Sequence, residues 1–172
     1  MGSNCLGRPV CCRAAVSTEP PQVLAQLREV YRHWSAGDWT PAFGFYAREM
    51  EWGWSAEFPD IAGVYADTET PNSRLQTWLE PWESWYCSAE DYVHVGEDTI
   101  VVLTRYQGRG KASGMWIDTE GAHVWKFRDG EAVRLEVFAD RARALCEAYA
   151  ASCADSVAGL ASVISERTTL RT

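Results

Sequence analysis

The sequence predicts an α+β fold, and three observations carry that prediction. Apolar residues recur at helical spacing in the first part of the chain. Short segments of alternating or continuous apolar character, separated by glycine-containing turns, fill the second part. Helices and hairpin-connected strands are therefore segregated along the chain, the pattern of α+β rather than of alternating α/β architecture. A strongly bent, mostly antiparallel sheet with the N-terminal helices packed over its concave face would enclose a blind pocket.

The elements follow in order. Residues 1–20 carry no periodic pattern and run into Glu19-Pro20-Pro21, so they read as a disordered N-terminal arm. Val23, Leu24, Leu27, Val30, Tyr31 and Trp34 then mark one apolar helix face, with a stop at Ala36-Gly37-Asp38. Thr40 as N-cap and Pro41 in the first helical position predict a short second helix reaching Tyr46. Glu49 to Ser55 alternates and predicts a strand. Phe58 to Asn72, rich in Pro, Asp, Gly and Thr, reads as a long loop. Ser73 to Tyr86 returns to helical spacing, with Pro81 kinking or breaking it near Glu80; Trp78, Trp82 and Trp85 would then share a helical stripe.

Tyr92–Val95 and Thr99–Gln107, parted by Gly96-Glu97-Asp98, predict a hairpin. Met115–Phe127 is a long strand with a bulge expected near Gly121. Arg128-Asp129-Gly130 turns it into a last strand, Ala132–Phe138. Asp140 can cap a helix from Arg141 to about Ser152. The domain is thus expected over 21–152, followed by a partly helical extension, 153–172.

Charge and composition exclude several functions. Lys+Arg 16 against Asp+Glu 24 gives a net charge of −8, which argues against nucleic-acid or anionic-membrane partners, since both select a basic face. No apolar run reaches the roughly 18–20 residues of a membrane span, and the N-terminus lacks a signal-peptide apolar region. The six cysteines form no CxxC pair; reduced thiols in a cytoplasm are expected. His33, His94 and His123 are too scattered for a local metal motif, and the glycine-rich Arg109–Gly114 segment reads as a strand-end turn, so neither metal nor cofactor is expected. Nine tryptophans are more than a core of this size normally uses, and they point to an aromatic-lined pocket or an interface.

Four strings carry a family resemblance: Val30-Tyr31-Arg32-His33-Trp34-Ser35-Ala36-Gly37-Asp38-Trp39, Glu57-Phe58-Pro59-Asp60, Ala122-His123-Val124-Trp125-Lys126-Phe127-Arg128-Asp129-Gly130, and Phe138-Ala139-Asp140-Arg141. With the element order they resemble the nuclear transport factor 2-like superfamily and, within it, the SnoaL-like group. That resemblance implies a conical α+β barrel with a deep pocket, frequently assembled as a homodimer. The superfamily includes ketosteroid isomerases, polyketide cyclases, epoxide hydrolases and non-catalytic binders, so function must be argued from the pocket.

His123 lies two residues before Trp125 and four before Phe127, so all three share one strand face. The resemblance places it where the steroid isomerases carry a protonated Asp that donates to the substrate oxyanion. A histidine there could donate to an enolate or act as general base, or serve only as a pocket residue tied to a neighbouring Tyr or Asp. Tyr31 falls near the isomerase oxyanion tyrosine. The isomerase base position falls on Trp52, whose indole abstracts no proton, and the cyclase and hydrolase carboxylates fall near Val137. Glu51 and Glu136 have the wrong strand parity for the pocket. Glu57 and Asp60 are candidate partner carboxylates at the pocket mouth, or members of a solvated loop. Trp52, Trp125, Phe127, Val137, Trp78, Trp82 and Tyr46 are the expected ligand-contacting residues, while Trp116 should face away from Trp125 unless Gly121 forms a bulge.

The resemblance implies a pocket for a small apolar or amphipathic, oxygen-bearing molecule such as a polyketide, terpenoid or steroid-like ketone. Either cofactor-free acid–base catalysis of isomerase or cyclase type operates on it, or the domain is a non-catalytic binding or dimerisation module.

Overall fold

A computed structural model describes residues 21–39, 45–58, 63–66 and 73–154. Helix α1 (Pro21–Ser35) precedes β1 (Tyr46–Trp54), β2 (Gly63–Ala66), α2 (Ser73–Leu79) and four longer strands. These are β3 (Trp82–Val95), β4 (Thr99–Gly110), β5 (Trp116–Arg128) and β6 (Glu131–Phe138). A last helix, α3, covers residues 141–154. The strands form one six-stranded sheet in the order β2-β1-β6-β5-β4-β3. Every pairing is antiparallel except β1 with β6, so the sheet is mixed. It does not close, because β2 and β3 are edges, and the result is an open α+β cone.

Strand alternation sends two sets of side chains to opposite faces. Val23, Leu27, Val30, Tyr31 and Trp34 of α1 pack on the inner face against residues such as Val102, Trp125 and Leu135. On the outer face, Ala122, Val124 and Phe138 meet Ala144 and Ala148 of α3. Asp140 caps α3 as expected, its Oδ1 accepting from the backbone N of Ala142 (2.8 Å) and Arg143 (3.1 Å). The β5–β6 turn places Asp129 at φ 53° and Gly130 at φ 85°, the left-handed pair that a two-residue hairpin of matching twist requires.

The structure changes several expected elements. Tyr46 opens β1 rather than ending a helix, and residues 40–44 of that predicted helix lie outside the described residues. The 58–72 loop contains β2, which pairs with β1 from Glu51↔Ala66 to Trp54↔Gly63. The helix predicted to reach Tyr86 stops at Leu79, and the chain is strand from Trp82. Pro81 lacks an N–H and biases its predecessor toward extended backbone, and the aromatic residues beyond it find a partner in β4. No bulge forms at Gly121. The β4–β5 register runs unbroken from Thr99↔Lys126 to Arg109↔Trp116, and the irregularity falls at Lys126/Phe127 against β6. Trp116 is accordingly exposed while Trp125 is fully buried.

Residues 1–20 and 155–172 lie outside the described residues. Cys87 is a free, buried thiol. Cys153 is disulfide-bonded, and this departs from the expectation of reduced cysteines. Among the described residues, no helix is long and apolar enough to cross a membrane.

Candidate functional site

The inner face and its covering helices enclose a cavity of about 170 Å3. Strand alternation supplies most of its wall. Trp52 and Trp54 come from β1, Leu135 and Val137 from β6, Ile117 and His123 from β5, and Tyr106 from β4. Trp34 of α1, Trp78 of α2, Trp82 and Trp85 of β3, and the loop residues Trp39 and Phe58 complete it. Although the helical stripe is lost, Trp78, Trp82 and Trp85 still meet. Trp78 and Trp82 each approach Trp85, at 5.7 Å and 4.3 Å between ring centroids. A register shift between Trp82 and Ser84 brings two residues of odd separation to one side of β3. Trp39 is pinned over the cavity by its Nε1–H, which donates to the Trp85 carbonyl at 2.9 Å, and by stacking on Trp34 at 5.1 Å.

His123 is the polar centre of this wall. Its ring lies between two tyrosines, with Nδ1 2.5 Å from Tyr31 Oη and Nε2 2.8 Å from Tyr106 Oη. The indole Nε1–H of Trp125 donates to Tyr31 Oη at 2.9 Å. Burial lowers the His123 pKa from 6.5 to about 3, so the imidazole is neutral at pH 7. The same burial raises the pKa values of Tyr31, Tyr106 and the Cys87 thiol well above their ordinary values. Every titratable group in this interior cluster is thereby held uncharged.

The residues singled out from the sequence divide by depth. His123, Trp52, Val137, Trp78 and Trp82 stand on the cavity wall. Tyr31, Trp125, Phe127 and Tyr46 sit in the core behind it, where Tyr46 and Phe127 stack on Trp125 at 6.2 Å and 6.4 Å. Glu57 is turned away from the cavity. Its Oε2 accepts from Ser55 Oγ (3.0 Å) and from the backbone N of Ala139 (2.8 Å) and Asp140 (3.2 Å), bracing the chain where it enters α3. With Oε2 answering three donors and Oε1 facing Arg143 at 3.4 Å, both oxygens of this carboxylate are engaged in structure. Asp60 lies outside the described residues. Glu51 and Glu136 point to the outer face, where Arg134 pairs with both, at 3.4 Å and 3.0 Å. Among the described residues, no three His, Cys, Asp or Glu side chains gather as metal ligands.

Tyr106 was not foreseen. A signal for it exists in the sequence: a bulky aromatic on one strand beside a glycine on the next is a cross-strand packing pair. A Cβ at Gly121 would lie 2.4 Å from Tyr106 Cε2 and 2.8 Å from the Phe138 carbonyl oxygen, so only glycine lets the ring cross β5 toward His123. Trp54 was missed as well, although it stands two residues from Trp52 on one strand face and lines the cavity beside it.

The sequence matches the SnoaL-like domain over residues 27–135. That span is most of the chain. The protein belongs to the SnoaL-like family. No curated protein matches it. Among solved structures it is similar to an NTF2-like protein of Burkholderia thailandensis, with 27% identity, a TM-score of 0.55, and coverage of 72% of this chain and 95% of that one. It is also similar to an NTF2-like protein of unknown function from Burkholderia pseudomallei, with 18% identity, a TM-score of 0.60, and coverage of 71% and 93%. A protein provisionally described as a SnoaL-like polyketide cyclase from Jannaschia sp. shares the fold at 15% identity and a TM-score of 0.61, with coverage of 79% and 99%.

Proposed function

We propose that this SnoaL-like domain is a binding protein for a small, uncharged, largely apolar molecule of one or two rings. The observation that carries the reading is the cavity itself, walled by aromatic rings around one neutral histidine. Its volume of about 170 Å3 compares with the roughly 150 Å3 of an apolar cavity that takes up benzene, so a single ring suits it better than a steroid-like skeleton. A preformed aromatic pocket with few polar groups is the usual form of a small-molecule site.

The second reading is cofactor-free acid–base catalysis, and the presence of His123 and Tyr106 on the wall favours it. Two features weigh against it. Both ring nitrogens of His123 are engaged by tyrosines, and a group with a pKa of about 3 is a weak base at pH 7. The carboxylate on the lining, Glu120, is largely exposed and paired with Arg141 at 3.3 Å.

Calorimetric titration with indole, naphthalene and acetophenone tests binding. At least one should bind saturably and raise the melting temperature, by linkage to the folded state; three blank titrations would remove the proposal. Exchange of the methyl hydrogens of acetophenone in D2O tests catalysis without knowledge of the substrate. The binding reading expects the rate of buffer alone, and an acceleration lost in His123→Gln would restore the enzyme.

Assembly as a homodimer belongs to the same proposal. Met115 and Trp116 stand more than half exposed at the start of β5, offering apolar surface for a contact. A cytoplasmic setting is also proposed. The free thiol of Cys87 is in keeping with it, and the disulfide at Cys153 weighs against it.

A further inference from the structure

Four buried side chains form a directed chain of hydrogen bonds whose last member has a hydrogen to spare. Trp125 Nε1–H can only donate, and it donates to Tyr31 Oη at 2.9 Å. The Tyr31 hydroxyl hydrogen then has one acceptor in reach among the described residues, His123 Nδ1 at 2.5 Å. Were Nδ1 to carry the imidazole hydrogen instead, Tyr31 Oη would receive two donors. Its own hydrogen would then be left against the rings of Trp34, Tyr92 and Trp125 and the Cys87 thiol, none of them in hydrogen-bond geometry with it among the described residues. A stranded buried donor is the costlier arrangement. The neutral imidazole therefore carries its hydrogen on Nε2 and donates it to Tyr106 Oη at 2.8 Å.

Tyr106 thus accepts within the chain and keeps its own hydroxyl hydrogen. The neighbouring candidate acceptor is Thr104, two residues back on the same strand face. Burial raises the Tyr106 pKa and the Thr104 hydroxyl lowers it in smaller part. Even so, Thr104 Oγ1 is buried with no partner in hydrogen-bond geometry. Tyr106 itself lines the cavity.

We propose that Tyr106 is the polar anchor of the pocket, donating its hydroxyl hydrogen to one neutral acceptor oxygen of the bound molecule. The ligand class is then an uncharged ring compound carrying a carbonyl or ether oxygen. This rests on the pocket reading above and specifies its chemistry. His123 is a positioning residue here, since its Nε2–H fixes where the Tyr106 oxygen and its free hydrogen point. The charge of the ligand follows from the wall. Among the described residues no Lys or Arg lines the cavity, so an anion would be buried there without a countercharge. A cation would meet the same desolvation that keeps His123 neutral, and the lining carboxylate of Glu120 is already paired with Arg141 at 3.3 Å.

A matched pair of probes isolates the contact. Acetophenone and α-methylstyrene have nearly the same shape, with C=O replaced by C=CH2. Calorimetry on the full chain and on Tyr106→Phe should show acetophenone weakened roughly threefold to tenfold by the substitution, the worth of one neutral hydrogen bond. α-Methylstyrene should change by less than about twofold, so that the coupling belongs to the oxygen. If both probes bind the wild type and respond alike to Tyr106→Phe, the anchor is overturned while the pocket stands. If neither binds, the pocket reading itself fails.

Because Tyr106→Phe also strands the Nε2 hydrogen of His123, a second measurement uses the wild type alone. The infrared carbonyl stretch of bound 13C-labelled acetophenone should lie below its frequency in hexane; a hexane-like frequency overturns the anchor. Benzoate and tetramethylammonium should each bind at least tenfold more weakly than acetophenone, and tighter binding of either overturns the uncharged ligand class.

Discussion

His123 ties pocket chemistry to stability at the scale of one residue. Its folded-state pKa, about 3, lies below the ordinary 6.5, so between those values the unfolded chain binds the extra proton. Stability from this group is complete above pH 6.5 and is lost as pH falls toward 3, because the slope follows the protons bound by each state. Urea unfolding should therefore lose a few kcal/mol between pH 7 and pH 4. His123→Gln, whose amide can both accept and donate, should flatten that slope, and an unchanged slope would show that other groups cause it. Gly121→Ala is the second residue-scale prediction. With Tyr106 Cε2 at 2.4 Å and the Phe138 carbonyl at 2.8 Å from the new Cβ, overpacking should cost about 1–3 kcal/mol and weaken acetophenone binding by displacing Tyr106. The common face of His123, Trp125 and Phe127 was legible because strand parity needs no partner. The partners of His123 were not, since Tyr31 and Tyr106 stand 92 and 17 positions away in the chain.

At the scale of elements, the β6–α3 junction shows why a carboxylate beside a pocket need not serve it. Glu57 holds the backbone at Ala139 and Asp140, and Asp140 caps the first turn of α3. Glu57→Ala should hand those exposed donors to water and lower stability by about 0.5–1.5 kcal/mol, while leaving the acetophenone Kd within about twofold. Chemical denaturation and calorimetry on one preparation check both halves, and a large loss of affinity would return Glu57 to the site. Asp140→Ala should cost about 0.5–2 kcal/mol through the lost cap. The cap was readable locally, from one side chain and the residues next to it. The second function of Glu57 depends on a contact 82 residues away. Pro81 divides in the same way. A break there was expected, yet the spacing of Trp78, Trp82 and Trp85 suits a helix, and only pairing with β4 commits Trp82 and Trp85 to a strand.

At the scale of the whole molecule, the open cone leaves one face for the pocket and α1, and the other for α3. Light scattering should report a particle of twice the 19.3 kDa chain if the proposed dimer forms, and Trp116→Glu should shift it toward the monomer. A monomer at all accessible concentrations would assign the exposed Met115–Trp116 corner to something other than self-association. The sequence by itself determined the α+β class, the hairpins, the cap of α3 and the shared face of His123, Trp125 and Phe127 on β5. Each of these follows from propensity, alternation or a side chain acting within a few residues. Tertiary structure alone decided which tryptophans wall the cavity, where the carboxylates finish and which proton His123 keeps. Those depend on strand register and on burial, and both are set by residues far apart in the chain meeting across the sheet.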